Sequence, residues 1–151
     1  MQTVIEKIES RAKQIAAGEM EQVKPGMPAS FTAACQSGDC IRQGDLYLIV
    51  ADCVPGDYVK VKRPNASDRQ LVPGNTQGAR HCLDSIRGVK MFRPEKWDSE
   101  SLQGPCIVTS EKRTVTHPTH GHIVIPAGMT VLCRYQREWE KEQQREMRAR
   151  D

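Results

Sequence analysis

The stretch from Val115 to Arg137, VTHPTHGHIVIPAGMTVLCRYQR, constrains this chain more than any other, because it sets a histidine cluster directly against two strand-like runs. Three of the four histidines, His117, His120 and His122, fall within six positions. Ile123 to Ile125, a Pro-Ala-Gly turn and an alternating run from Met129 to Tyr135 follow at once. Alternation puts Met129, Val131, Cys133 and Tyr135 on one face of a strand, and that face needs a β core to receive it. The rest of the chain is expected to support or cover this hairpin.

The other apolar runs are short and punctuated by turn residues. Leu46 to Ala51 is apolar without a break behind Gln43-Gly44-Asp45, which predicts a strand buried on both faces. Tyr58 to Val61 alternates apolar and basic residues, as a half-exposed strand does. Leu83, Ile86, Val89, Met91 and Phe92 fit short strands around the Arg87-Gly88 turn, and Pro105 to Thr109 and Thr114 to Thr116 add two more. Pro94 to Gly104 is polar, a surface excursion anchored by Trp97. The spacing predicts a mainly β domain over 44–137, a small β-barrel or jelly-roll-like sandwich of about seven to nine short strands. A chain of 151 residues suits one such core.

Helices are expected only at the ends. Val4, Ile5, Ile8, Ala12, Ile15 and Ala16 recur at three-and-four spacing, so residues 1–18 predict an N-terminal amphipathic helix. Thr3 and Glu6 have capping-box form and Gly18 supplies the stop. Residues 19–43 read as a connector with a short extended piece near Ser30 to Ala34. Residues 138–151 predict a charged C-terminal helix whose large apolar residues are Trp139 and Met147. Ile5, Ile8, Ile15, Trp139 and Met147 are thus the candidate interface residues, with a second copy or an assembly partner as the expected occupant.

Charge narrows the function classes. The net charge of +3 argues against a dedicated nucleic-acid binder, although Asp57 to Lys96 holds nine Lys or Arg against four acids and is where an acidic partner would dock. No apolar run reaches the roughly 20 residues that span a bilayer, and no signal-peptide pattern opens the chain. A soluble protein of the cytoplasm, or of a virion assembled there, is expected. Without an export signal, the six cysteines are expected as reduced thiols, not a disulfide framework.

Three segments could carry chemistry. His117, His120 and His122 are candidate metal ligands: on an extended strand His120 and His122 would share a face, and three neutral imidazoles with an open position suit zinc, iron or manganese. No Asp or Glu lies between Lys112 and Arg137 to complete such a site. The alternative is that His117 and His120 are hydrogen-bonded groups fixing a tight turn against Asp45 or Glu138. Gly74, Gly78, Arg80 and His81 form a candidate anion loop that lacks the Lys-Ser/Thr end of a phosphate-binding loop. Cys35 and Cys40, in CQSGDC, have a spacing zinc permits, but no second pair completes a site. No complete set of catalytic residues is present.

Two resemblances bear on these residues. His120-Gly121-His122 and Ile125-Pro126-Ala127-Gly128 partly resemble the two cupin motifs, which implies a metal-binding β-barrel; no Glu follows the pair, and Val131 stands where the second motif has His. GDLYLIV, GNTQGARH, THPTHGHIVIPAG and RYQREWE together are similar to a family of small uncharacterised bacterial and phage proteins. Gly44, Asp45, His81, His117, His120, Gln136, Arg137 and Glu138 match that pattern, and it brings no activity with it. The expected function is a non-enzymatic structural or interaction module of a homo-oligomer or larger assembly, such as a phage particle, needing no cofactor. The alternative is a metal-dependent cupin-like enzyme using His117, His120 and His122, with zinc, iron or manganese.

Overall fold

The computed structural model describes residues 6, 8–9, 29–72, 81–97, 101–140 and 145–148. Twelve strands are present among them. In chain order these are β1 (Ala29–Ser30), β2 (Cys40–Gln43), β3 (Leu46–Ala51), β4 (Tyr58–Lys60), β5 (Cys82–Leu83) and β6 (Val89–Pro94). They continue as β7 (Gln103–Thr109), β8 (Arg113–Thr116), β9 (Ile123–Ile125), β10 (Thr130–Tyr135), β11 (Arg137–Glu140) and β12 (Arg145–Arg148).

Two sheets share one core. The larger has strand order β2-β3-β10-β7-β6-β4, and the smaller β1-β9-β8-β5. All pairings are antiparallel except that of β1 with β9. Between the layers lie Leu46, Leu48 and Val50 of β3, Val131, Cys133 and Tyr135 of β10, and Ile107 of β7, facing Leu83, Val115, Ile123 and Ile125. The alternation from Met129 to Tyr135 is realised as expected. β3 is buried along its whole length: its other face packs Tyr47, Ile49 and Ala51 with Cys106 and Leu132. An uninterrupted apolar strand paired on both sides, with apolar groups on both faces, can occupy only a central position.

The fold is not a closed barrel. β2 and β4 remain edges of the larger sheet, and a barrel requires the end strands to pair. Nor do β9 and β10 form the expected hairpin. They lie in different sheets, so the Pro126 to Gly128 turn carries the chain across the core, with Gly128 at φ 78°. Thr109 Oγ1 anchors it, donating to Pro126 O at 2.7 Å and accepting from Met129 N at 3.2 Å.

The terminal helices need correction too. Glu6, Ile8 and Glu9 are helical, the rest of the expected N-terminal helix lies outside the described residues, and no helix of that length is seen among those that are described. The segment expected as a charged helix over 138–151 instead contributes to a two-stranded sheet, with Glu138 opposite Met147 and Glu140 opposite Arg145. Surface ion pairs stabilise a helix by only a few tenths of a kcal/mol each, and a segment with two large apolar residues has no apolar stripe with which to dock one. The connector over 19–43 is also more structured than expected, holding β1 and β2. Phe31, fully inside the core, anchors β1. Among the described residues no helix is long and apolar enough to cross a membrane.

Candidate functional site: a buried histidine cluster

The turn between β2 and β3 starts the site. Gly44, at φ 58°, takes a left-handed conformation that costs glycine little, and it delivers Gln43 and Asp45 to the interior. Gln43 is wholly buried and Asp45 is 4% exposed. His81, immediately before β5, is 1% exposed, and His117, at the end of β8, 3%. Sequence reasoning had not singled out Gln43, which reads as an ordinary turn-flanking polar residue; the one available signal was its place beside the Gly-Asp pair.

Hydrogen bonds assign the protons. Gln43 Nε2 donates to Val115 O at 3.1 Å and Gly121 O at 2.9 Å, which uses both amide hydrogens. Its Oε1 is left facing His81 Nδ1 at 3.0 Å, so that ring nitrogen carries a hydrogen. His81 Nε2 lies 3.0 Å from Asp45 Oδ1, off the line of a directed hydrogen bond.

His117 has the opposite assignment. Its Nδ1 accepts from the backbone amides of Thr119 at 3.1 Å and His120 at 3.0 Å, so that nitrogen is unprotonated and the ring is the neutral Nε2–H tautomer. The His81 and His117 rings lie 4.5 Å apart, and those of His117 and His120 4.3 Å apart. The result is a tilted stack running from buried His81 to half-buried His120.

Of the expected metal set, His117 and His120 are adjacent, whereas His122 is exposed. Residues 117–122 form a loop and not a strand, so His120 and His122 do not share a strand face. Pro118 and the amide bonds to His117 Nδ1 hold that loop. Among the described residues no group of three or more His, Cys, Asp or Glu could hold a metal ion. Val131, at the position where the second cupin motif has His, is core. The turn-fixing role expected as the alternative is present at His117, although Asp45 partners His81 instead. Gly74, Gly78 and Arg80 of the candidate anion loop lie outside the described residues, and His81 is engaged by Gln43 and Asp45.

All six cysteines are free. Burial pushes the Cys106 thiol up to about 12, against a downward pull from Arg134, and burial also raises that of Cys133. Cys35 Sγ accepts from Thr32 N at 3.3 Å within a turn. Among the candidate interface residues, Ile8 is helical and half-buried, Ile5 and Ile15 lie outside the described residues, and Trp139 and Met147 fall on the paired strands β11 and β12.

Fold and cluster define a two-sheet β domain whose buried histidines, His81 and His117, are hydrogen-bonded to its own side chains and backbone. Residues 42–135 match the family described as Domain of unknown function (DUF8820); they span more than half of the chain, which therefore belongs to that family. Among curated proteins nothing matches, and no solved structure does. The matched segment holds Gly44, Asp45, His81, His117 and His120, and it ends at Tyr135, just ahead of β11.

Proposed function

We propose that this chain is a non-enzymatic interaction module that builds a homo-oligomer or a larger cytoplasmic assembly, such as a phage particle. The observation that carries the reading is the sheet formed by β11 and β12, which among the described residues pairs with neither of the other sheets. An isolated two-stranded ribbon is marginally stable in water, so a partner that extends it is favoured. The buried cluster supports the same reading. The Nδ1 atoms of His81 and His117 are engaged by Gln43 and by the amides of residues 119 and 120, which suits a role in holding the fold.

Light scattering across the micromolar range tests the proposal, together with recovery of partners by the tagged full chain. A mass above the 17.0 kDa of one chain, or a recovered partner whose binding needs 137–148, is expected. A monomer at every concentration that recovers nothing overturns it. Stoichiometric zinc, iron or manganese in fresh protein, lost in His120→Ala, would favour the metal enzyme instead.

A further inference from the structure

We propose that the open edge of β4 docks an extended segment of a partner protein, one that alternates acidic and apolar residues and adds to the larger sheet as a further strand. This edge is separate from the ribbon of β11 and β12, so the site goes beyond the module reading and is tested apart from it. β4 ends the larger sheet. Its bonds to β6 fix which way its backbone points: Asp57 O accepts from Glu95 N at 2.9 Å and Val61 N donates to Met91 O at 2.8 Å. Hydrogen-bonding direction alternates along a strand, so the N–H and C=O of Lys60 and the C=O of Tyr58 point away from the sheet. No hydrogen bond to these three groups is present among the described residues. Unpaired groups on a sheet edge are a template for another strand.

Charge and exposure select the occupant. Residues opposite one another across a ladder share a face, so Lys60, paired with Phe92, lies on the outer face with Lys90, while Val59, paired with Arg93, lies on the other. Lys60, Lys62, Arg63 and Lys90 are exposed, and none of them is ion-paired among the described residues. Arg93, by contrast, is held by Asp68 at 2.8 Å. Asp57 and Glu95 sit together at the other end of β4, which leaves the Lys60 end positive. An acidic residue opposite Lys60 answers that charge, and its chain neighbour falls beside Val59, a large apolar side chain left 55% exposed. A strand of alternating acidic and apolar residues meets both faces at once.

Other edges and occupants fit less well. β2, at the opposite edge, is half-buried or buried at every residue, and β1 and β5, the edges of the smaller sheet, are two residues long. A second copy that pairs β4 antiparallel with β4, Val59 against Val59, needs the Tyr58 N–H to donate across the interface. That N–H already donates to Pro55 O at 3.1 Å, and the contact brings two positive edges together. Single-stranded nucleic acid answers the charge but needs open rings on which to stack. Tyr58 and Phe92, the rings beside Lys60, instead pack against the cluster of Tyr47, Ile49, Ala51, Cys106 and Leu132.

The test is fluorescence anisotropy of a short labelled peptide of alternating glutamate and valine, titrated with the full chain, with amide exchange at Lys60 followed by NMR. Binding that weakens as salt screens the charges, and that slows exchange at Lys60, is expected. Lys60→Glu is expected to weaken binding about tenfold or more. Lys112→Glu, the same charge change in the turn between β7 and β8, leaves it nearly unchanged. Protection of the Lys60 amide is read in the wild type, so the site stays testable even where a variant fails to fold. A peptide that does not bind, binding that ignores Lys60→Glu, or binding without protection at Lys60 overturns the site. So does a chain that takes up oligothymidylate and not the peptide, or one that dimerises through β4 in its place. None of these results alters what light scattering says of residues 137–148.

Discussion

His81 and Asp45 meet at 3.0 Å inside the domain, each almost wholly withdrawn from water, and the partner on the other side of the imidazole is a neutral amide oxygen, that of Gln43. The two neighbouring rings therefore carry opposite assignments: Nδ1 is protonated in His81 and bare in His117. Long-range proton–nitrogen correlation spectra are expected to show this difference directly. A protonated His117 Nδ1 would contradict the amide bonds from residues 119 and 120.

Replacing Gln43 with Leu keeps much of the volume and removes the amide. Val115 O and Gly121 O then lose a donor and His81 an acceptor, all in the interior. A loss of about 3 kcal/mol is expected in urea unfolding, since each buried polar group left unsatisfied costs roughly 1–3 kcal/mol. Gln43→Glu, which offers acceptors to two carbonyls, is expected to cost at least as much. A change within experimental error in both variants would refute the network.

Gly104 allows the close approach of β7 to Tyr135. A Cβ there would stand 2.7 Å from Tyr135 Oη and 2.9 Å from Cys133 Cβ, while that hydroxyl donates to Leu71 O at 2.6 Å. Gly104→Ala is expected to cost about 1–3 kcal/mol through overpacking. In a Tyr135→Phe background the same substitution should cost less, because one of the clashing atoms is gone. An equal cost in both backgrounds would place the strain elsewhere.

The cysteines divide by burial. Cys53 is exposed, whereas Cys106 and Cys133 are buried, and thiolate is the reactive form. Mass spectrometry after brief labelling near neutral pH is expected to find Cys53 modified first and the two buried thiols only as the domain opens. The Cys106 thiol is raised from 9.0 to about 12 on folding. Its stabilising contribution is therefore complete below about 9 and is lost as pH climbs toward 12, because the unfolded chain ionises first. Stability that rises with pH across this window would contradict the burial of that thiol.

Much of the β architecture could be read from residue patterns. Leu46 to Ala51 reads as a doubly buried strand and is one; Tyr58 to Lys60 reads as half-exposed and lies at an edge. These succeed because side-chain alternation reports burial directly. What failed was pairing. Ile123 to Ile125 and Thr130 to Tyr135 look like the arms of one hairpin, but which sheet a strand joins depends on residues far away in sequence, such as Ala29 and Ser30 for β9. At the C-terminus, Arg-Glu-Trp-Glu and Arg-Glu-Met-Arg carry no decisive period, so helix pairs and cross-strand pairs were equally compatible with them. In the cluster, His81, His117 and Asp45 could be picked out by their residue types. Gln43 could not, because its role arises only when two sheets bring Val115 and Gly121 to its amide.

That amide has one more consequence. Two greasy layers can slide over one another with little change in buried area, because apolar contact is not directional. Gln43 belongs to β2 of one layer, and its two acceptors belong to β8 and the loop beyond it in the other. A shift of one residue along β8 would carry Val115 O out of reach and leave the amide stranded. The histidine cluster thus acts as a dowel between the sheets, fixing one alignment among several that the core alone would accept.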